Sequence, residues 1–168
     1  GVDFVAAFFG CIYAGAAAIP VHPPVRNRVI GRVASILEDV DAGFVLATAA
    51  SQSELKSAVD GLTDGNSLRW CAVDEVSDDT AAQWVEPELD PSTIALLQYT
   101  SGSTNTPKGV MVTHANLLHN LETIAQACGD DSGVFWLPLH HDMGLIGGVL
   151  ETLYLGGSSY FMPPEAFI

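Results

Sequence analysis

The 168-residue chain predicts an α/β fold in which helices alternate with a largely parallel sheet. Three observations predict it. Short apolar runs of strand length recur along the chain, segments with apolar residues at helical spacing separate them, and Gly, Asp and Pro fall at the joints. No internal repeat breaks this alternation.

Residues 3–18 open as a helix already under way. The uncharged run 4–21 has the length of a membrane span, but its many Ala and Gly residues lower its hydropathy, Pro20 ends it and no basic flank precedes it. A helix buried on most sides fits better, without stable membrane insertion. Val29, Ile30, Val33, Ile36, Leu37 and Val40 then lie at helical spacing, and residues 43–47 read as a short buried strand. A helix over 51–59 ends at the breaker Asp60-Gly61, and 68–73 is the next strand. The acidic, turn-rich stretch 74–91 reads as a solvated connection whose charge run carries no function. Residues 93–97 form a buried strand; beyond a polar loop, Val110-Met111-Val112 is apolar and Thr113 can cap a helix over 114–127. A strand at 134–137, a helix at 143–154 and a strand at 158–162 complete the series.

With 48% hydrophobic residues, the chain falls within the usual size of one domain, and its formal charge of −14 argues against nucleic acid or an anionic membrane as partner. Cys11, Cys71 and Cys128 are widely spaced and form no Cys-x-x-Cys pair, so reduced thiols and a cytoplasmic setting are expected. Five histidines invite a metal reading around His140-His141-Asp142. Adjacent residues in extended chain point to opposite sides, and His114 and His119 do not share a helix face as the two histidines of His-Glu-x-x-His do, so no metal site is expected.

The richest chemistry lies in Leu97-Gln98-Tyr99-Thr100-Ser101-Gly102-Ser103-Thr104-Asn105-Thr106-Pro107-Lys108-Gly109-Val110. Hydroxyls at Thr100, Ser101, Ser103 and Thr104, backbone N–H groups of a glycine-containing loop and the charge of Lys108 together suit a phosphate chain. The Walker A order is absent, because Lys108 precedes its glycine. Composition alone favours a flexible surface linker, but apolar runs hold this one at both ends.

The run from Tyr99 to Asn120 resembles the phosphate-binding signature of adenylate-forming enzymes, which include acyl-CoA ligases, adenylation domains and fatty acyl-AMP ligases. Trp136-Leu137-Pro138-Leu139-His140-His141-Asp142-Met143-Gly144-Leu145-Ile146-Gly147-Gly148 is similar to the substrate-side motif, in the His-Asp-Met-Gly form of fatty acyl-AMP ligases, and residues 3–24 and 161–168 resemble the flanks of that branch. The resemblance implies a partial N-terminal domain over 1–168, without the C-terminal domain and its catalytic lysine. Gly1 in place of an initiator methionine and the uncapped Phe167-Ile168 agree with a piece of a longer protein.

The implied reaction joins a fatty acid carboxylate to the α-phosphate of ATP with Mg²⁺, releasing pyrophosphate; the acyl group then passes to an acyl carrier protein or to coenzyme A. ATP, itself an anion, must be held by local donors against the chain's overall charge. On this resemblance Thr100, Ser101, Gly102, Ser103, Thr104, Lys108 and Gly109 hold the β- and γ-phosphates. His141 is the catalytic donor near the carboxylate and α-phosphate, and Asp142, Met143, Gly144 and Gly148 join it at the acid substrate. Glycines beside an acyl tunnel would leave room for an alkyl chain, and helix packing explains them equally well. Two departures stand out: Asn105 occupies a place where glycine is common, and His140 one where an aromatic residue is commoner. A noncatalytic nucleotide- or acyl-binding module is the alternative of another class; an acyl-CoA ligase or amino-acid adenylation domain is the alternative within the enzyme class.

Overall fold

The computed structural model describes residues 1–22, 27–59, 68–100, 107–128 and 131–166. Along them run α1 (Val2–Tyr13), α2 (Asn27–Asp39), β1 (Phe44–Ala47), α3 (Ala49–Val59), β2 (Arg69–Ala72), β3 (Ile94–Thr100), β4 (Lys108–Thr113), α4 (His114–Cys128), β5 (Ser132–Phe135), α5 (Glu151–Tyr154) and β6 (Ser158–Phe161). A π-helix, Met143–Leu150, leads directly into α5.

The mixed α/β alternation is borne out. Among the described residues the strands pair as three two-stranded ladders: β1 with β2 and β5 with β6 are parallel, whereas β3 and β4 are antiparallel. The antiparallel pair departs from the expected pattern. Val110-Met111-Val112 is the second arm of a hairpin, so the hydroxyl-rich loop joins strand to strand rather than strand to helix.

Helix α1 is shorter than its alanine-rich sequence suggests, because Gly15 turns left-handed at φ +66°. Ala16 N–H reaches the Cys11 carbonyl and Gly15 N–H the Ile12 carbonyl, at 2.9 and 3.0 Å, which is a Schellman ending. The chain then runs beside β3. Ala18 donates to the Ala95 carbonyl at 2.9 Å and accepts from Leu97 N–H at 2.8 Å. Sheet pairing here outweighs the helix propensity of Ala16-Ala17-Ala18.

The α4 cap follows the sequence prediction. Thr113 Oγ1 accepts from Asn116 N–H and Thr113 N–H donates to Asn116 Oδ1, both at 3.1 Å, so two end groups are satisfied reciprocally. The connection 74–91 is largely exposed, as expected, yet pinned: Asp74 accepts from Ala49 N–H at 2.7 Å, and Trp84 Nε1 donates to the Tyr13 carbonyl at 2.7 Å.

The core gathers around β3. Ala95 and Leu96 are fully buried and join Phe8, Ala18, Leu117, Leu121, Leu145, Val149 and Leu150 in one cluster. Each fully buried leucine contributes about 2 kcal/mol by transfer from water. Strand β3 is therefore fixed from several sides just before the loop begins.

Candidate functional site

Thr100 and Lys108 face each other at the open end of the β3–β4 hairpin, as directly paired residues. Both are exposed, so a hydroxyl and an ammonium stand side by side where the loop leaves the ladder. Ser101, Gly102, Ser103, Thr104 and Asn105 lie outside the described residues. Gly109 pairs with Tyr99, and a Cβ there would come within 2.9 Å of the Tyr99 ring. Its bare backbone makes room for that ring.

Tyr99 anchors the base of the loop to α2. Its hydroxyl donates to Asp39 Oδ2 at 2.5 Å, and its carbonyl accepts from Arg32 at 2.9 Å. Burial first, then the hydrogen bond to Asp39 and its negative charge, push the Tyr99 phenol up to about 12. Tyr99 stays a neutral donor.

Gln98, the preceding residue, serves the other direction. Its Nε2 donates to the His140 carbonyl at 3.4 Å, linking β3 to the turn that carries His140-His141-Asp142. Within that turn His141 N–H donates to the Pro138 carbonyl at 3.0 Å, and Leu145 N–H to the His141 carbonyl at 2.9 Å. Asp142 Oδ1 accepts from Met143 N–H at 2.8 Å, holding the start of the π-helix. The hairpin end and the histidine turn thus hang from one strand.

The expectation that His140 and His141 diverge is not met. The chain turns there, and the two rings lie 4.5 Å apart between centroids. His22, which no local sequence pattern singles out, meets His140 edge to face at 4.7 Å. Desolvation, then the neighbouring His141 and His22, push the His140 imidazole down to about 4. Among the described residues no three His, Cys, Asp or Glu side chains form a metal-like group.

The glycines of the run 136–148 divide. A Cβ on Gly144 would lie 2.2 Å from the Pro138 carbonyl oxygen, so this glycine lets the helix sit against the backbone of the turn. At Gly148 a Cβ would meet the Phe135 and Phe161 rings at 3.3–3.5 Å, an ordinary to close contact, and at Gly147 it would meet nothing within 4 Å. Helix packing accounts for Gly144, while open space lies at Gly147. Met143 is exposed beside them.

Residues 1–167 match the family described as AMP-binding enzyme. The chain belongs to that family. It is 41% identical to the medium-chain-fatty-acid–[acyl-carrier-protein] ligase of Moorena producens, over 99% of this chain and 29% of the relative. It is 40% identical to a long-chain-fatty-acid–AMP ligase of Mycolicibacterium smegmatis, over 99% and 27%. The crystal structure of a fatty acyl-adenylate ligase from L. pneumophila, in complex with acyl adenylate and pyrophosphate, superposes with a TM-score of 0.83 at 35% identity, covering 99% of this chain and 29% of that one. The chain spans less than a third of the length of these relatives. Among the described residues no helix is long and apolar enough to cross a membrane.

Sequence reasoning missed Arg32, Asp39, Gln98 and His22. Gln98 had a signal, its place directly before the loop; the others act through contacts far apart in sequence.

Proposed function

We propose that the chain is the early part of the large N-terminal domain of a fatty acyl-AMP ligase, with residues 1–168 lying wholly within that domain and a C-terminal domain elsewhere in the polypeptide. The carboxylate oxygen of a fatty acid attacks the α-phosphorus of ATP, the bond to the bridging oxygen breaks, and pyrophosphate leaves. The acyl-adenylate is then passed to a carrier-protein thiol, as in polyketide or lipid synthesis, in a cytoplasmic enzyme.

The observation that carries this reading is the common suspension from β3: Thr100 and Lys108 at its end, and the turn bearing His141 linked to Gln98. Positioning two anions in line and neutralising the charge that builds on pyrophosphate need no covalent group on the protein. Lys108 supplies the positive charge at the β- and γ-phosphates, with the Thr100 hydroxyl, Gly109 and the residues 101–104 around them. His141 donates a hydrogen bond where carboxylate and α-phosphate meet, while Asp142 fixes the turn that presents it. Met143 and the space beside Gly147 border the acyl chain, with Gly144 and Gly148 shaping the wall behind. Mg²⁺ would balance phosphate charge in such a reaction. Among the described residues no three His, Cys, Asp or Glu side chains form a metal-like group, and Asp142 is engaged by Met143 N–H.

The test is ATP–pyrophosphate exchange by the complete polypeptide. Exchange should require a fatty acid, and Lys108→Ala should lower its rate about 10²-fold, the scale of losing one charge-stabilising group. Exchange that ignores the fatty acid would refute the substrate class; exchange untouched by the substitution would refute the role of Lys108.

A further inference from the structure

Gln98 stands at the one described point where a side chain of the loop-bearing strand reaches the histidine turn. Strand periodicity puts Gln98 and Thr100 on the same face of β3, with Tyr99 on the other. Tyr99 is fully engaged, through its hydroxyl with Asp39 and through its carbonyl with Arg32. Gln98 is not. Its Nε2 reaches the His140 carbonyl only at 3.4 Å, and its Oε1 is shut off from solvent with no partner among the described residues.

A primary amide carries two donors and an acceptor, and leaving a buried acceptor unmade is costly. An amide under-used in this way, between two fixed pieces of backbone, has room to tighten. The strand is held by the core around Leu96; the turn is held by His141 N–H to Pro138 and by Asp142 to Met143 N–H. What remains adjustable between them is the separation that Gln98 spans.

We propose that Gln98 is a positioning residue that sets the separation between the phosphate end and the carboxylate end of the site, drawing the His140 carbonyl, and with it His141, toward β3. This assignment rests on the ligase reading above. The reacting carboxylate oxygen and phosphorus must approach in line, so an error of a fraction of an ångström in that separation falls on the rate of the chemical step rather than on the binding of either reactant. Gln98 touches neither reactant in this role; it acts through the backbone of His140.

The experiment uses the complete polypeptide with Gln98→Met, which keeps the length of the side chain and removes both the donor and the orphaned acceptor. Gln98→Glu is the second variant, keeping the shape while turning the donor into an acceptor that faces the carbonyl. Pyrophosphate exchange should lose about tenfold in kcat in Gln98→Met with KM for ATP and for the fatty acid each changed less than about twofold, and more in Gln98→Glu. Thermal midpoints should not fall in Gln98→Met, since the variant discards a buried oxygen that has no partner among the described residues. Amide hydrogen exchange over residues 138–145 should quicken in both variants, and over β3 stay as in the parent. Unchanged amide exchange in that turn overturns the proposal, as does a kcat equal to the parent's, or a loss of activity that merely follows a lowered thermal midpoint in both variants. Should the parent show no exchange of pyrophosphate, the ligase reading fails, and the amide-exchange comparison alone judges Gln98.

Discussion

The two faces of β3 treat neighbouring residues in opposite ways. On one face Tyr99 is saturated: a carboxylate takes its hydroxyl, a guanidinium takes its carbonyl, and its ring fills the space over Gly109. On the other, Gln98 makes one long hydrogen bond and leaves an oxygen without a partner among the described residues. The base of the hydroxyl-rich loop is therefore held by two short hydrogen bonds toward α2 and by one long one toward the histidine turn. A strand can deliver a fixed anchor and a movable one from consecutive positions, because alternation sends them to different neighbours.

The contrast can be broken most severely from the turn. In Gly144→Ala the new methyl would press on the Pro138 carbonyl, which is backbone and cannot swing aside. A loss of about 3 kcal/mol is expected, read from urea unfolding, together with displacement of the His140 carbonyl from Gln98. A variant as stable as the parent would mean that the turn is looser than described. On the rigid face, Tyr99→Phe deletes the hydroxyl held by Asp39 and should cost about 1.5 kcal/mol. A double-mutant cycle with Asp39→Ala should return about 1 kcal/mol of coupling, and additive losses would remove α2 as an anchor.

The smallest effect concerns pH. The His140 imidazole is held down at about 4 against an ordinary 6.5, so between these values the unfolded chain binds a proton that the folded chain refuses. Stability thus falls as pH falls through that window and is fully present above it. His140→Phe, which keeps a ring between His22 and His141, should flatten this part of the profile, seen in unfolding midpoints at pH 7 and pH 5. An unaltered slope would show that the three-ring contact does not desolvate His140.

What was legible in the sequence was local. Thr113 signalled its helix through a polar cap before an apolar-periodic run, and the structure returns that cap with its reciprocal partner Asn116. The strands around 43–47, 68–73 and 158–162 were marked by short apolar runs between breakers. Errors came where a distant contact overruled a local preference. Residues 16–18 read as helix until Ala18 found β3, and Val110-Met111-Val112 gave no hairpin signal because no two-residue turn of the Asn-Gly kind precedes it. In the candidate site, Thr100 and Lys108 stand out by residue type and order, and His141 and Asp142 through the resemblance of the motif that holds them. The tie from Arg32 and Asp39 to Tyr99, and the ring of His22 against His140, were not, since neither has a periodicity or a spacing to read.

The edge-to-face meeting of His22 with His140 joins two stretches that any gene-level exchange would treat as separate cassettes. A chimera that imports residues 138–142 from a relative while keeping its own 20–22 inherits only one half of that contact. The two stretches form one transferable unit.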